Sequence, residues 1–316
     1  MFFGIWRYIL AVMVLISHAV SLEFNFGVFA VVNFLIISGY LNANLLEKYY
    51  NKENVKLYYF DRFLRIAPQF YFYFILIIII NYRLNIFDFS LTDVLTNFSI
   101  LPLGYYLIFD NLVGYNFKLI IPPTWTLGLE LTFYLVFPYI IFRKRFDLFF
   151  FSSFLIFVLA FSFQFYNRAI NFTLLPGTLF IFLIGAYAYY GDIKKNKFFL
   201  FTILSLLLML MVTLFNKEFY NILFNKEVIT SIIVGSLLIN IKKYKSNNID
   251  IFLGNLSYGI YLNHFICLGI LGYYFRLNSF QLIIFTIIIS SFFSFLSYYY
   301  FEVFFSKLRK KIRHNK

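Results

Sequence analysis

With 62% hydrophobic, 24% aromatic and only 13% charged residues, the 316-residue chain carries more apolar surface than a water-soluble fold of that length can bury. Its net charge of +13 suggests a nucleic-acid partner, but the basic residues fall in short segments between apolar runs, which is how loops orient a protein in a bilayer. No nucleic acid is therefore expected, and one cysteine, Cys267, with three histidines gives no disulfide and poor material for a metal site.

Taken in order, ten segments read as helices that cross the membrane: 4–21, 26–46, 69–84, 125–142, 148–166, 174–190, 198–215, 228–241, 252–275 and 280–301. Stretches such as Phe74 to Ile80 and Leu204 to Val212 do not alternate, which argues against a membrane barrel. The expected fold is thus an all-α integral membrane protein of about ten transmembrane helices. The first run imitates a signal peptide, with Arg7 ahead of Ala19-Val20-Ser21. His18 interrupts it, so retention is expected. Between the third and fourth spans, 85–124 holds Asp88, Asp93, Pro102, Asp110, Gly114, Pro122 and Pro123. It reads as a large loop with room for a short interfacial or re-entrant helix. Residues 1–305 form one membrane domain, followed by a basic tail at 306–316.

A cytoplasmic N-terminus places Lys48, Lys52, Lys56, Arg62, Arg65, Arg143, Lys144, Arg145, Lys194, Lys195, Lys197, Lys242, Lys243, Lys245 and six tail residues on the inner side. That is twenty of the 27 basic residues, so both termini are predicted in the cytoplasm and the chain in the inner membrane.

Polar groups within the spans carry the functional signal, because charge in hydrocarbon costs several kcal/mol unless it faces a partner or a cavity. Arg7 and His18 are eleven residues apart, which puts them on one helix face roughly 16 Å apart along the axis. Such a pair suits an anionic donor at one end and proton abstraction at the other; a snorkelling arginine with a packed histidine is the competing reading. Arg62 and Arg65, in FDRFLRIAP, lie at i and i+3 in the inner loop before the third span, fit either to grip phosphate or to anchor the chain beside Asp61. Glu130 enters from the outer side and either orients His18 or an acceptor hydroxyl, or bridges to another span. Ser257, Tyr258, Tyr261 and His264 form a polar stripe that lines a cavity or joins helices, and Ser38-Gly39 has the same two readings.

Taken together, Arg7 with His18, IISGYL from Ile36, DRFLRIAP from Asp61, PPTWTLGLELTFYLVFP from Pro122 and LGNLSYGIYLNH from Leu253 resemble the acyltransferase family 3 of membrane O-acyltransferases. The order and spacing of these motifs carry the resemblance. It implies acyl transfer, usually of acetyl, from cytosolic acetyl-CoA or another acyl-CoA to a carbohydrate hydroxyl such as that of a surface polysaccharide. It further implies His18 and Glu130 as catalytic residues, Arg7, Arg62 and Arg65 on the donor, and Ser38, Trp125, Tyr258, Tyr261 and His264 lining the substrate cavity. Three positions depart from the family pattern: Asn33 ahead of the serine-glycine pair, Thr126 for the usual serine, and Val303-Phe304 after the acid Glu302. The competing class is a transporter or flippase for a glycan or anion, in which the same buried charges line a translocation path.

Overall fold

The structure, a computed structural model, describes residues 3–113, 117–164, 169–191, 197–222, 224–240 and 247–314. Among the charges used to orient the chain, Lys194, Lys195, Lys242, Lys243, Lys245 and the tail residue Lys316 lie outside the described residues. The α-helices, in chain order, are α1 (Phe3–Ala19), α2 (Phe26–Tyr49), α3 (Val55–Leu84), α4 (Leu91–Phe98), α5 (Tyr106–Val113), α6 (Trp125–Phe142), α7 (Phe146–Phe163) and α8 (Leu175–Tyr190). They continue with α9 (Lys197–Phe215), α10 (Lys217–Asn221), α11 (Asn225–Ile239), α12 (Asn248–Tyr274), α13 (Ser279–Ser297) and α14 (Val303–His314). Each of the ten predicted segments falls on one of these helices, and the described residues contain no strand. Among the described residues, seven helical segments are long and apolar enough to cross a membrane, and Phe3–Ala19 and Phe199–Phe215 are shorter apolar helices.

Local chemistry sets many of the ends. Asn25 accepts the Gly27 and Val28 N–H groups to start α2, Asn247 accepts from Asp250 to start α12, and Asn278 with Gln281 forms a reciprocal cap on α13. The end of α8 is Gly191, at φ +77°, a conformation that glycine adopts without the penalty of a Cβ.

One boundary is a correction. α3 starts at Val55, not near 69, so Arg62 and Arg65 stand in a helix and not in a loop. The polar stretch hides a helical face, because Tyr58, Asp61, Arg62, Leu64 and Ile66 are buried while Leu57, Phe60 and Phe63 point outward. The 85–124 segment is likewise built of the short helices α4 and α5 with 3-10 turns at Leu101–Tyr105 and Pro122–Thr124.

The chain divides into two compact units, the first holding residues 1–22, 56–131 and 243–316 and the second 23–55 and 132–242. In the first, contacts between α1 and α12 rise together along both helices. Ile5 N–H donates to Asp250 at 2.9 Å, Arg7 reaches the Gly254 carbonyl, and His18 meets His264. These helices therefore run parallel. α3 follows the same direction, with Tyr258 donating to the Ile66 carbonyl at 2.9 Å and Asn263 to the Tyr73 hydroxyl at 3.1 Å. α13 returns antiparallel, bonding through Ser294 to the Leu256 carbonyl and through Ser290 to Asn263.

The second unit is packed differently. Gly39 of α2 lies on the Phe182 carbonyl and Gly185 of α8 lies on that of Ile36, so the two backbones touch where any Cβ would collide. Beside them Phe133 stacks on Phe182, ring centres 4.1 Å apart.

Candidate active site

One end of the first unit is a cluster of arginines. Arg62 pairs with Asp61, which also accepts three bonds from Arg313 of α14, at 3.0, 3.2 and 3.2 Å. Arg65 reaches Glu302 at 2.9 Å, and Arg309 of α14 holds the same carboxylate at 2.5 Å. Arg65 also lies over the ring of Tyr258, 5.1 Å from its centre. Arg7 stands within electrostatic reach of Arg65, Asp250, Glu302 and Glu130.

Two of these cations keep an unspent donor, because the Nε atoms of Arg7 and Arg309 are buried with no hydrogen-bond partner. Four arginines against the two acids Asp61 and Glu302 leave the α3–α14 cluster positive. A guanidinium presents its N–H groups in a planar fork, a geometry that matches the oxygens of a carboxylate or a phosphate. The sequence placed Arg7, Arg62 and Arg65 on one donor, and the structure brings all three to one end. It adds Arg309 and Arg313, whose i, i+4 spacing in a basic run was the available signal.

The other end carries the histidines. His18, in the last turn of α1, is exposed, and its ring centre lies 5.4 Å from that of His264. His264 is fully buried, with Nδ1 2.9 Å from the Ile260 carbonyl and no partner for Nε2. Phe265 meets His18 edge-on at 6.4 Å and Phe87 lies against Phe265 at 5.9 Å. One turn before His264, the Tyr261 hydroxyl lies 2.9 Å from the Pro123 carbonyl and 2.7 Å from the Thr126 hydroxyl.

Between the two ends stands Glu130 of α6, close enough to act electrostatically on both Arg7 and Tyr261. Trp125, at the head of α6, is buried. Ser38 belongs to the second unit, where Asn42 one turn on donates to its carbonyl at 2.8 Å and to its hydroxyl at 3.3 Å. A cationic end and an imidazole end are thus carried by parallel helices of one unit.

A family model described as an acyltransferase domain matches residues 2–301, nearly the whole chain. The chain belongs to acyltransferase family 3. This membrane acyltransferase is also similar to an uncharacterized protein of Aquifex aeolicus (strain VF5), 32% identical over 189 residues, which are 56% of this chain and 83% of that protein. No solved structure matches the acyltransferase.

Proposed function

We propose that the protein moves an acyl group, acetyl in the first instance, from cytosolic acyl-CoA to a hydroxyl of a cell-envelope carbohydrate. The observation that carries this reading is the pair of ends just described. Unspent, buried guanidinium donors lie at one pole of α1, α3 and α12, and an exposed imidazole lies at the other. Roughly 16 Å of helix separates Arg7 from His18, long enough to hold a phosphate-bearing tail at one end while its thioester reaches toward the other. The parallel course of α1 and α12 fits an even number of crossings from one to the other. That parity is compatible with ten spans and termini on one face, and the basic loops favour the cytoplasmic face of an inner membrane.

In this reading Arg7, Arg62 and Arg65 hold the donor's phosphates, and Arg309 and Arg313 keep Asp61 and Glu302 from being left unpaired while they do so. His18 removes the proton of the acceptor hydroxyl, whose oxygen attacks the acyl carbonyl; the C–O bond forms, the C–S bond breaks, and His18 returns the proton to the leaving sulfur. Glu130, Trp125, Tyr258 and Tyr261, all of the first unit, shape the path between the poles.

The test uses purified protein in nanodiscs with radiolabelled acetyl-CoA and an envelope polysaccharide extract. Wild-type protein is expected to label the carbohydrate, and His18→Ala to lower the rate ~10²–10⁴-fold while remaining folded. Equal labelling by the two proteins would overturn His18 as base. A wild-type protein that neither transfers nor hydrolyses the acyl group, yet moves glycan across vesicles, would replace the enzyme by a flippase.

A further inference from the structure

Three groups contend for the task of orienting His18: Glu130, a tyrosine, and His264. The geometry favours the last. Tyr261 has its hydroxyl directed to Pro123 and Thr126, and Glu130 acts on Arg7 and Tyr261, whereas the ring of His264 lies against the ring of His18.

His264 is itself oriented. A backbone carbonyl only accepts, so the 2.9 Å contact with Ile260 puts the proton on Nδ1 and leaves a lone pair on Nε2. That lone pair is buried and has no partner, an arrangement that a residue serving only to join helices would not need. Two imidazoles joined edge to edge by an N–H···N bond of ~3 Å, with about 1 Å from each nitrogen to its ring centre, have centres roughly 5 Å apart. The observed centres are 5.4 Å apart with the rings inclined by 35°, so a small turn of the exposed ring makes the bond.

We propose that His264 is a positioning residue for His18, its Nε2 accepting the N–H of the His18 ring. The bond fixes the His18 tautomer, leaving the other His18 nitrogen unprotonated and turned to the exposed side where a hydroxyl arrives. Phe265 and Phe87 wall one side of the pair and limit competing contacts from water. When the acceptor's proton moves to His18, the imidazolium holds two N–H groups. One stays bonded to His264 and the other is delivered to the leaving sulfur, so His264 remains neutral throughout and its Nδ1–H keeps donating to the Ile260 carbonyl. The proposal rests on the reading of His18 as the base.

Only His18, His264 and His314 occur in the chain, which makes histidine-selective 15N labelling decisive. Solid-state NMR of the full-length protein in nanodiscs is expected to show His264 protonated at Nδ1, with an Nε2 resonance that moves in His18→Ala. A His264 protonated at Nε2, or an Nε2 signal indifferent to His18→Ala, overturns the pairing. Kinetics on the same preparation separate positioning from packing. His264→Leu should lower kcat at least tenfold with the KM for acetyl-CoA unchanged, and His264→Gln, which restores an acceptor near Nε2, should recover most of that loss. Full activity in His264→Leu, or a Gln variant as slow as the Leu variant with both folded, overturns the role. A wild-type protein without transfer activity overturns the acyltransferase reading and with it the role, and the 15N signature then reports separately on the pairing.

Discussion

Polar groups are buried in both units, but their hydrogen bonds end differently. In the second unit Asn33 donates to Ser231 at 2.8 Å and to the Phe29 carbonyl at 2.9 Å, and Ser231 donates to that same carbonyl at 2.7 Å. The circuit closes on itself, beside glycines that bring α2 and α8 into backbone contact. In the first unit Arg7, Arg309 and His264 each carry a buried nitrogen with no partner. The second unit has open valences as well, on the Asn44 amide oxygen and on Glu227, one of whose oxygens accepts from the Asn25 N–H at 3.1 Å while the other is unspent. A closed circuit holds helices together, whereas an open valence in a low-dielectric interior is a cost that persists where a ligand or a reacting group completes it. What sets the first unit apart is the chemistry of its open valences, which sit on two guanidinium groups and an imidazole, whereas the Asn33–Ser231 circuit of the second holds helices together.

The largest effect expected from this contrast is in the second unit. Gly185→Leu would drive a side chain into the Ile36 carbonyl, and since backbone cannot move aside as a side chain does, a loss of about 3 kcal/mol or more is expected. Folded yield and detergent-solubilised melting temperature report it. A variant that folds as well as wild type would show that α2 and α8 do not depend on their backbone contact.

Next in size is the donor end. Arg62→Ala with Arg65→Ala should weaken acetyl-CoA binding at least tenfold, as a phosphate bond worth ~1.5–3 kcal/mol would require. Asp61 and Glu302 each retain an arginine of α14, so neither acid is stranded and the fold should persist. Unchanged affinity by calorimetry would remove the arginines from the donor site and leave the cluster as a structural latch.

Much of this contrast was legible beforehand, and the remainder has a physical reason. Long apolar runs announce helices because only hydrogen-bonded backbone survives in lipid, so all ten predicted segments fall on helices. The 3.6-residue period placed Arg7 and His18 on one face, and both meet α12. What period cannot say is which helix that face meets. The contact between His18 and His264 spans 246 positions and follows from packing alone. The first turns of α3 were hidden because Asp61, Arg62 and Arg65 raise its polarity, and their partners in α14 were unknown. Within 85–124, Asp93 and Asn97 looked like loop residues, yet both bond the backbone of the segment at 118–120.

That segment sharpens the comparison, since it belongs to the first unit and its polar groups are closed. Asp93 accepts from the backbone N–H groups of Ser90 and Lys118, each at 2.7 Å. Burial alone would push its carboxyl up, but these bonds outweigh it and hold the group below its usual value. The sign follows: the stabilisation is present above the unfolded value of about 3.9 and is lost as pH falls through the lower folded value. Asp93→Asn should cost about 1–2 kcal/mol at pH 7, with the gap to wild type closing below pH ~3. Limited proteolysis of the 85–124 segment across that range would show it. A gap that widened in acid would reverse the assignment.

The smallest effect is expected where the circuit is closed and shared. Ser231→Ala deletes one donor to the Phe29 carbonyl and the acceptor for one Asn33 N–H, but the other Asn33 N–H keeps its bond to the same carbonyl, so only one neutral donor is stranded. Polar contacts between helices in membranes average ~0.6 kcal/mol, so a loss near 1 kcal/mol is expected, with acyl transfer unchanged. Thermal unfolding and transfer rates of the same preparation decide it. If transfer fell while the melting temperature held, Ser231 would belong to the reaction, and the second unit would be handling substrate as well as holding its helices.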